Sequence, residues 1–308
     1  MIILRFTSGL GNQMFQYAFY TYLRKKYPAE KVLADLTWFQ WNRAHQGFEL
    51  RKLFGRPDNP GFHLEEASQF QVYRLSGKVA QRNGFDRVVN RLTRLLAGGH
   101  FQRIHYYETG RESENTLKDR IDHIGPGQNA YITGYFLKED YYKENLSELR
   151  EALSFDLGDL GLENAALLKE IGERESVSVH VRRGDYLNPG YTENFINLGK
   201  DYYRKAVDLI RERVENPLFF LFSDDKEFLK EAFDWLPDKR IVTGNTGEKS
   251  YLDMALMSRC KYNITANSTF SEWAGLLNSY EKGIIIYPKA YLKDKDSDIK
   301  TIPGWVRI

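Results

Sequence analysis

The stretch Leu218-Phe219-Phe220-Leu221-Phe222-Ser223-Asp224-Asp225 sets the fold class. Five apolar residues run without a polar break. That pattern belongs to a parallel strand covered on both faces, not to a strand with one wet side. Two acids follow at once, at the carboxyl end of the strand, where open α/β sheets bind ligands. An acid here also serves as the N-cap or first-turn residue of the next helix, and that reading suits one of the two.

The pattern repeats outward from this strand. A strand is predicted over 176–181, helices near 200–214 and 226–235, and a short strand near 240–243. A helix near 249–259, a strand over 262–266, a helix over 270–280 and a strand over 283–287 follow. The N-terminal half has a strand over 2–6 and the turn Thr7-Ser8-Gly9-Leu10-Gly11. Its helix carries Met14, Phe15, Ala18, Phe19, Tyr22 and Leu23 at helical spacing, and strands are predicted over 31–34 and 131–135. Residues 60–125 give a weaker strand signal. Asp156, Gly158, Asp159 and Gly161 interrupt the apolar pattern. The expected organisation is therefore α/β, with one domain over 1–157 and a second over 158–308.

Composition narrows the function classes. With 42% hydrophobic and 28% charged residues the chain reads as globular, and a net charge of +2 gives no general field for a nucleic-acid partner. The single cysteine excludes an internal disulfide and fits a reducing, cytoplasmic setting. No signal peptide and no 18-residue apolar span is expected.

Three further motifs carry chemistry. His180-Val181-Arg182-Arg183-Gly184-Asp185-Tyr186 ends the 176–181 strand with paired guanidinium groups and a glycine. Arginine offers a planar fork of donors that matches phosphate oxygens. A period-2 reading puts His180 and Arg182 on one face and Arg183 on the other. A surface arginine pair bridged to Asp185 accounts for the same residues. Ser8-Gly9-Leu10-Gly11-Asn12-Gln13 joins a strand to a helix start, a ready polar-ligand site. Asn12 as a plain helix cap is the alternative. Asn267-Ser268-Thr269-Phe270-Ser271-Glu272-Trp273 contains T-x-x-E, read as a capping box between Thr269 and Glu272.

Together, Gly9-Leu10-Gly11-Asn12-Gln13-Met14-Phe15-Gln16-Tyr17-Ala18, the 180–186 motif, Phe222-Ser223-Asp224-Asp225 and the 267–273 motif resemble glycosyltransferase family 11, the bacterial-type α-1,2-fucosyltransferases. The resemblance runs over nearly the whole chain. It departs where Glu272 stands in place of the first of two tryptophans. The resemblance implies a GT-B-like fold, two Rossmann-like domains facing across a cleft. It implies GDP-β-L-fucose as donor, inversion, no metal, and a galactose-terminated glycan as acceptor in bacterial polysaccharide biosynthesis. The contiguous Asp224 and Asp225 are not the D-x-D of metal-dependent sugar transferases.

The residue roles it implies are these. Arg182 neutralises the β-phosphate as GDP leaves, and Arg183 packs or takes a second phosphate oxygen. His180 and one of Asp224 and Asp225 hold ribose and guanine. Ser268, Thr269 and Phe270 touch phosphate or ribose. Asn12 and Gln13, on the turn made by Gly9 and Gly11, approach the reaction centre from the first domain. Asp185 is the sequence candidate for a general base, or else it orients an arginine. Rival readings are a fucosyltransferase of other linkage, a non-catalytic sugar-nucleotide-binding protein, and an NAD-dependent oxidoreductase resting on Gly9, Gly11 and Asp35. Acceptor contacts are expected near Trp38, Phe39, Trp41, Arg43 and His45. The basic stretch with Lys78, Arg82, Arg87, Arg91 and Arg94 suits peripheral contact with an anionic inner membrane, or is a solvated helix face.

Overall fold

The computed structural model describes residues 1–42, 45–76, 88, 102–105, 120–158, 160–184, 195–291, 293, 302 and 304–308, with 102–105 described at the backbone. The chain divides into two compact units, Met1–Leu153 and Ser154–Ile308.

The first unit holds four strands, β1 (Ile2–Arg5), β2 (Val32–Asp35), β3 (Gln102–His105) and β4 (Ala130–Thr133), in the order β2-β1-β4-β3. All the pairings are parallel. Its helices are α1 (Leu10–Lys26), α2 (Trp38–Trp41), α3 (Leu50–Phe54), α4 (Gln69–Ser76) and α5 (Leu146–Ala152). Helix α1 is buried along most of its length, so aromatic packing rather than a polar outer face fixes it. Phe19 stacks on Phe136 with ring centroids 3.9 Å apart. The strand expected over 131–135 ends at Thr133, because Phe136 turns the backbone into the left-handed region (φ 55°) to reach that stack.

The second unit carries a six-stranded parallel sheet of β5 (Glu175–Val181), β6 (Pro217–Ser223), β7 (Lys239–Ile241), β8 (Tyr262–Ile264), β9 (Ile285–Tyr287) and β10 (Val306–Arg307). Its order is β10-β9-β8-β5-β6-β7. The helices are α6 (Gly161–Glu173), α7 (Lys200–Arg211), α8 (Lys226–Ala232), α9 (Tyr251–Met257) and α10 (Thr269–Leu277). In β6 the run Phe219–Phe222 is wholly buried, as an unbroken apolar strand requires.

The order of each sheet shows where a ligand belongs. From β5 the chain builds outward through β6 and β7, then returns to place β8 on the other side of β5. The topological switch point therefore lies between the carboxyl ends of β5 and β8. In the first unit the same reversal falls between β1 and β4. Among the described residues no helix is long and apolar enough to cross a membrane.

Candidate active site

The carboxyl ends of β5, β6 and β8, at and beside the switch point, gather the predicted residues. β5 delivers His180 and then Arg182. β6 delivers Asp224, and the turn after β8 delivers Ser268 at the start of α10. The rings of His180 and Phe270 meet across the switch point at 5.7 Å.

Asp224 organises this site. Its Oδ1 accepts the backbone N–H groups of Arg183 (3.1 Å) and Gly184 (3.0 Å), and its Oδ2 pairs with Arg182 Nη1 at 3.1 Å. One carboxylate thus shapes the turn and aims the guanidinium. Burial pushes the carboxyl up, but Arg182 and the two N–H donors outweigh it and hold Asp224 below the usual carboxylate range. His180 is buried, and burial together with the Arg182 charge pushes its imidazole well below its ordinary value. The ring is therefore neutral near pH 7. Its Nδ1 is buried and makes no hydrogen bond among the described residues.

Arg183 is placed differently. Its guanidinium lies 3.9 Å over the ring of Phe228, and Nε is 3.3 Å from Asp225 Oδ2. Packing therefore accounts for Arg183, one of the two roles expected for it. Asp225 caps α8, with Oδ1 accepting the Phe228 N–H at 3.0 Å. Its Oδ2 takes the Arg183 ion pair, and its Oδ1 is used by the helix cap.

At the α10 start the cap is shifted by one residue. The N-cap is Ser268, whose Oγ accepts the Phe270 N–H at 3.3 Å, and not Thr269. Ser271 Oγ accepts the Ala266 N–H at 3.1 Å and donates to the Ser268 carbonyl at 3.2 Å, which braces the turn before the helix. Glu272 lies one position further on and is fully buried. The helix begins one residue earlier than T-x-x-E suggests because the turn offers a serine there. Thr269 and Phe270 remain half-buried on the first turn of α10.

The first unit has its own constellation at the carboxyl end of β1. Gly9, not Asn12, is the N-cap of α1, so Asn12 sits inside the first turn with its side chain free of hydrogen bonds among the described residues. Gly9 is closely approached, since a Cβ there would stand 3.2 Å from His45 Nδ1 and the ring would have to give by a few tenths of an ångström. Gly11 is buried. Gln13 is buried and fully engaged. Its Nε2 donates to the carbonyls of Ser8 and Gly47, each at 2.8 Å, and its Oε1 accepts the Glu49 N–H at 2.9 Å. Sequence reasoning missed Glu49, a buried acid whose carboxyl is pushed up to about 7 by burial, against the pull of Lys52. Only the turn geometry brings Glu49 beside Gln13, so the linear sequence carries no signal for it.

Asp35 does not serve a nucleotide. It is fully buried and accepts the Thr37 N–H (2.8 Å) and the Tyr131 hydroxyl, which removes the acid that the oxidoreductase reading needs. Trp41 is exposed, and Trp38 and Phe39 are half-buried. Asp185, Arg43 and the basic residues Lys78, Arg82, Arg87, Arg91 and Arg94 lie outside the described residues.

Comparison with known proteins agrees with this reading of the fold. Residues 100–308 match the model of glycosyl transferase family 11. An Escherichia coli alpha-1,2-colitosyltransferase is 32% identical over 316 aligned positions, covering 100% of this chain and 99% of the relative. The rat galactoside alpha-(1,2)-fucosyltransferase 2 is 29% identical, covering 62% of this chain and 57% of that protein. Among solved structures, the alpha-1,6-fucosyltransferase NodZ soaked with GDP-fucose matches with a TM-score of 0.50 at 14% identity, over 90% of this chain and 92% of that one. Arabidopsis thaliana FUT1 in complex with GDP matches at 0.52 and 13%, over 93% of this chain and 70% of that one. The structural likeness is one of fold, which is GT-B-like. The family match over most of the chain, with a relative aligned end to end, makes this protein a member of glycosyl transferase family 11.

Proposed function

We propose that this glycosyltransferase moves L-fucose from GDP-β-L-fucose to the 2-hydroxyl of a terminal β-galactoside, with inversion. The observation that carries the reading is the Arg182–Asp224 pair at the carboxyl ends of β5 and β6, beside the β5/β8 switch point. A guanidinium aimed by a fixed carboxylate, beside the N-terminus of a nine-residue helix, suits a leaving diphosphate.

In this reading Arg182 takes the negative charge that grows on the β-phosphate, and Asp224 is its positioning residue. The hydroxyls and N–H groups at Ser268 and Thr269 meet phosphate or ribose, with the helix dipole adding about 0.3–1 kcal/mol. Neutral His180 offers Nδ1 to the ribose, and Phe270 packs beside it. Asp225 accepts guanine N1–H and N2–H through its carboxylate, with Oδ2 shared with Arg183. Arg183 supports Phe228 and Asp225. In the first unit Asn12 presents its amide to the acceptor, while Gly9, Gly11 and Gln13 build the turn that holds it. The reading needs no metal, because a fixed cation supplies the charge.

One observation favours a second donor. The relative aligned end to end is named a colitosyltransferase, and colitose is fucose without its 3-hydroxyl. The test is direct. GDP-fucose, GDP-colitose and UDP-galactose are each incubated with a β-galactoside, and product is measured by chromatography. Transfer from a GDP-sugar and none from the UDP-sugar is expected. Product from UDP-galactose alone, or equal calorimetric affinity for GDP and UDP, contradicts the reading. A preference for GDP-colitose selects the second donor. Peripheral contact of the 78–94 basic stretch with an anionic membrane is part of the proposal, and co-sedimentation with anionic vesicles tests it.

A further inference from the structure

A cavity of about 220 Å³ lies between the start of α7 and α8 with the turn after it. Every residue that lines it belongs to the second unit. Four aromatic side chains form its walls: Tyr203 from α7, Phe228 from α8, and Phe233 and Trp235 beyond the end of α8. Phe228 and Trp235 are half-buried, so part of each ring stays accessible. Two cations, Arg183 and Lys200, also line the cavity, and no acid is among the described residues that do so.

The walls are held in place. Trp235 Nε1 donates to the Ala232 carbonyl at 2.8 Å, and the Arg204 guanidinium lies 4.9 Å over the Trp235 ring. The Tyr203 hydroxyl donates to the His180 carbonyl at 3.2 Å. Arg183 is stacked on Phe228, with Asp225 at its Nε. That ion pair uses one end of the fork, and the two Nη groups carry four further N–H donors. Side chains already fixed lose little freedom when a ligand arrives, which favours binding. Apolar walls left in contact with water also gain when they are covered.

Size and charge together define the occupant. A cavity of about 150 Å³ takes a benzene ring, so this one takes a single ring with a substituent of a few atoms. Drug-sized ligands fill pockets of about 300–1,000 Å³, so a whole nucleotide sugar does not fit. Aromatic walls suit a planar ring, and a guanidinium stacks on such a ring as well. Two cations with no acid among the described lining residues call for a negative substituent.

We propose that this cavity is a second binding site, beside the Arg182–Asp224 turn, for a single-ring aromatic anion, an aryl phosphate or aryl carboxylate. The proposal goes beyond the transferase reading and does not rest on it.

The experiment is calorimetry on the whole chain with phenyl phosphate and benzoate as probes. Inorganic phosphate, an anion without a ring, and benzyl alcohol, a ring without an anion, are the controls. Each titration is run with and without saturating GDP, so that anion binding at the Arg182–Asp224 turn is blocked in one arm. With GDP present, at least one probe should bind once per chain with a dissociation constant of about 0.1–1 mM, the range open to so small a ligand. The tighter probe names the head group. Each control should bind at least about tenfold more weakly, having lost the charge-assisted bonds or the ring contact. Lys200→Glu, at an exposed position, should weaken the probe by at least about fivefold. Ala232→Leu, which fills the cavity, should abolish binding, and if that variant fails to fold then Lys200→Glu decides. Displacement of the probe by GDP puts it at the donor turn and overturns the proposal. No binding of either probe, a control that binds as well, or unchanged binding by Lys200→Glu overturns it too. A chain that binds the probe but makes no product from any GDP-sugar refutes the transferase reading and leaves this one standing.

Discussion

The turn that aims Arg182 can be broken from two sides. A Cβ added at Gly184 would stand 2.9 Å from Asp224 Oδ2 and 3.0 Å from its Cγ, where ordinary contact begins near 3.4 Å. Gly184→Ala must therefore push the carboxylate back by about half an ångström. Two backbone N–H groups and Arg182 resist that retreat, so the guanidinium moves off its line or the turn opens. Asp224→Asn attacks the same contact chemically, since Oδ1 still accepts the two N–H groups while an NH₂ faces Arg182. A charge-assisted hydrogen bond is worth about 1.5–3 kcal/mol. With both side chains a little over a quarter exposed, screening reduces this to about 1–2 kcal/mol. Each variant should lower kcat/KM for the GDP-sugar by about five- to thirtyfold. The double variant should cost little more than either alone, because both remove one contact. Asp224 is held below the usual carboxylate range, so its contribution is present above that range and is lost only as pH falls through the lowered value. The effect should be flat from pH 5 to 8. Fully multiplicative losses in the double variant, or unchanged kcat/KM in both singles, would refute the reasoning.

Arg182→Ala should lower the transfer rate by about 10²–10³, the usual loss for a main charge-stabilising donor, and Arg182→Lys should recover little because an ammonium cannot make a two-point contact. Steady-state kinetics of the two variants checks this, and an alanine variant above a tenth of wild type contradicts it. Asp225→Asn should narrow the calorimetric preference for GDP over UDP by about tenfold and lower stability by about 1 kcal/mol through the weakened α8 cap; an unchanged preference removes Asp225 from guanine recognition. Glu49, raised to about 7, binds its proton more tightly in the folded state. Its contribution is full below its ordinary pKa and is lost as pH rises through 7. Wild-type stability should fall by up to about 3 kcal/mol between pH 5 and 8, and Glu49→Gln should flatten that loss in denaturant titrations.

Much of the second unit was legible because its signals are local. Leu218–Phe222 had one structural meaning, and the motif after each strand fell at the carboxyl edge where the topology needed it. The pairing of Arg182 with Asp224 was not legible, since two acids and two arginines allow several pairings. Only the register of β5 against β6, His180 opposite Phe222 and Val181 opposite Ser223, settles it. The T-x-x-E reading failed by one residue because a serine precedes the threonine and can cap equally well. In the first unit the helix start could be read only to within two or three residues, which moved the cap from Asn12 to Gly9. Glu49 was invisible for a different reason. Phe48-Glu49-Leu50 looks like any amphipathic segment, and its tie to Gln13, 36 residues away, shows only in the fold.

The most direct test of the proposed activity is NMR of the product formed from GDP-β-L-fucose and a β-galactoside in the presence of EDTA. The account predicts an α-linked fucose on the galactose 2-hydroxyl, formed at the same rate with and without chelator. A β-linked product, a linkage to another hydroxyl, or loss of turnover in EDTA would contradict it.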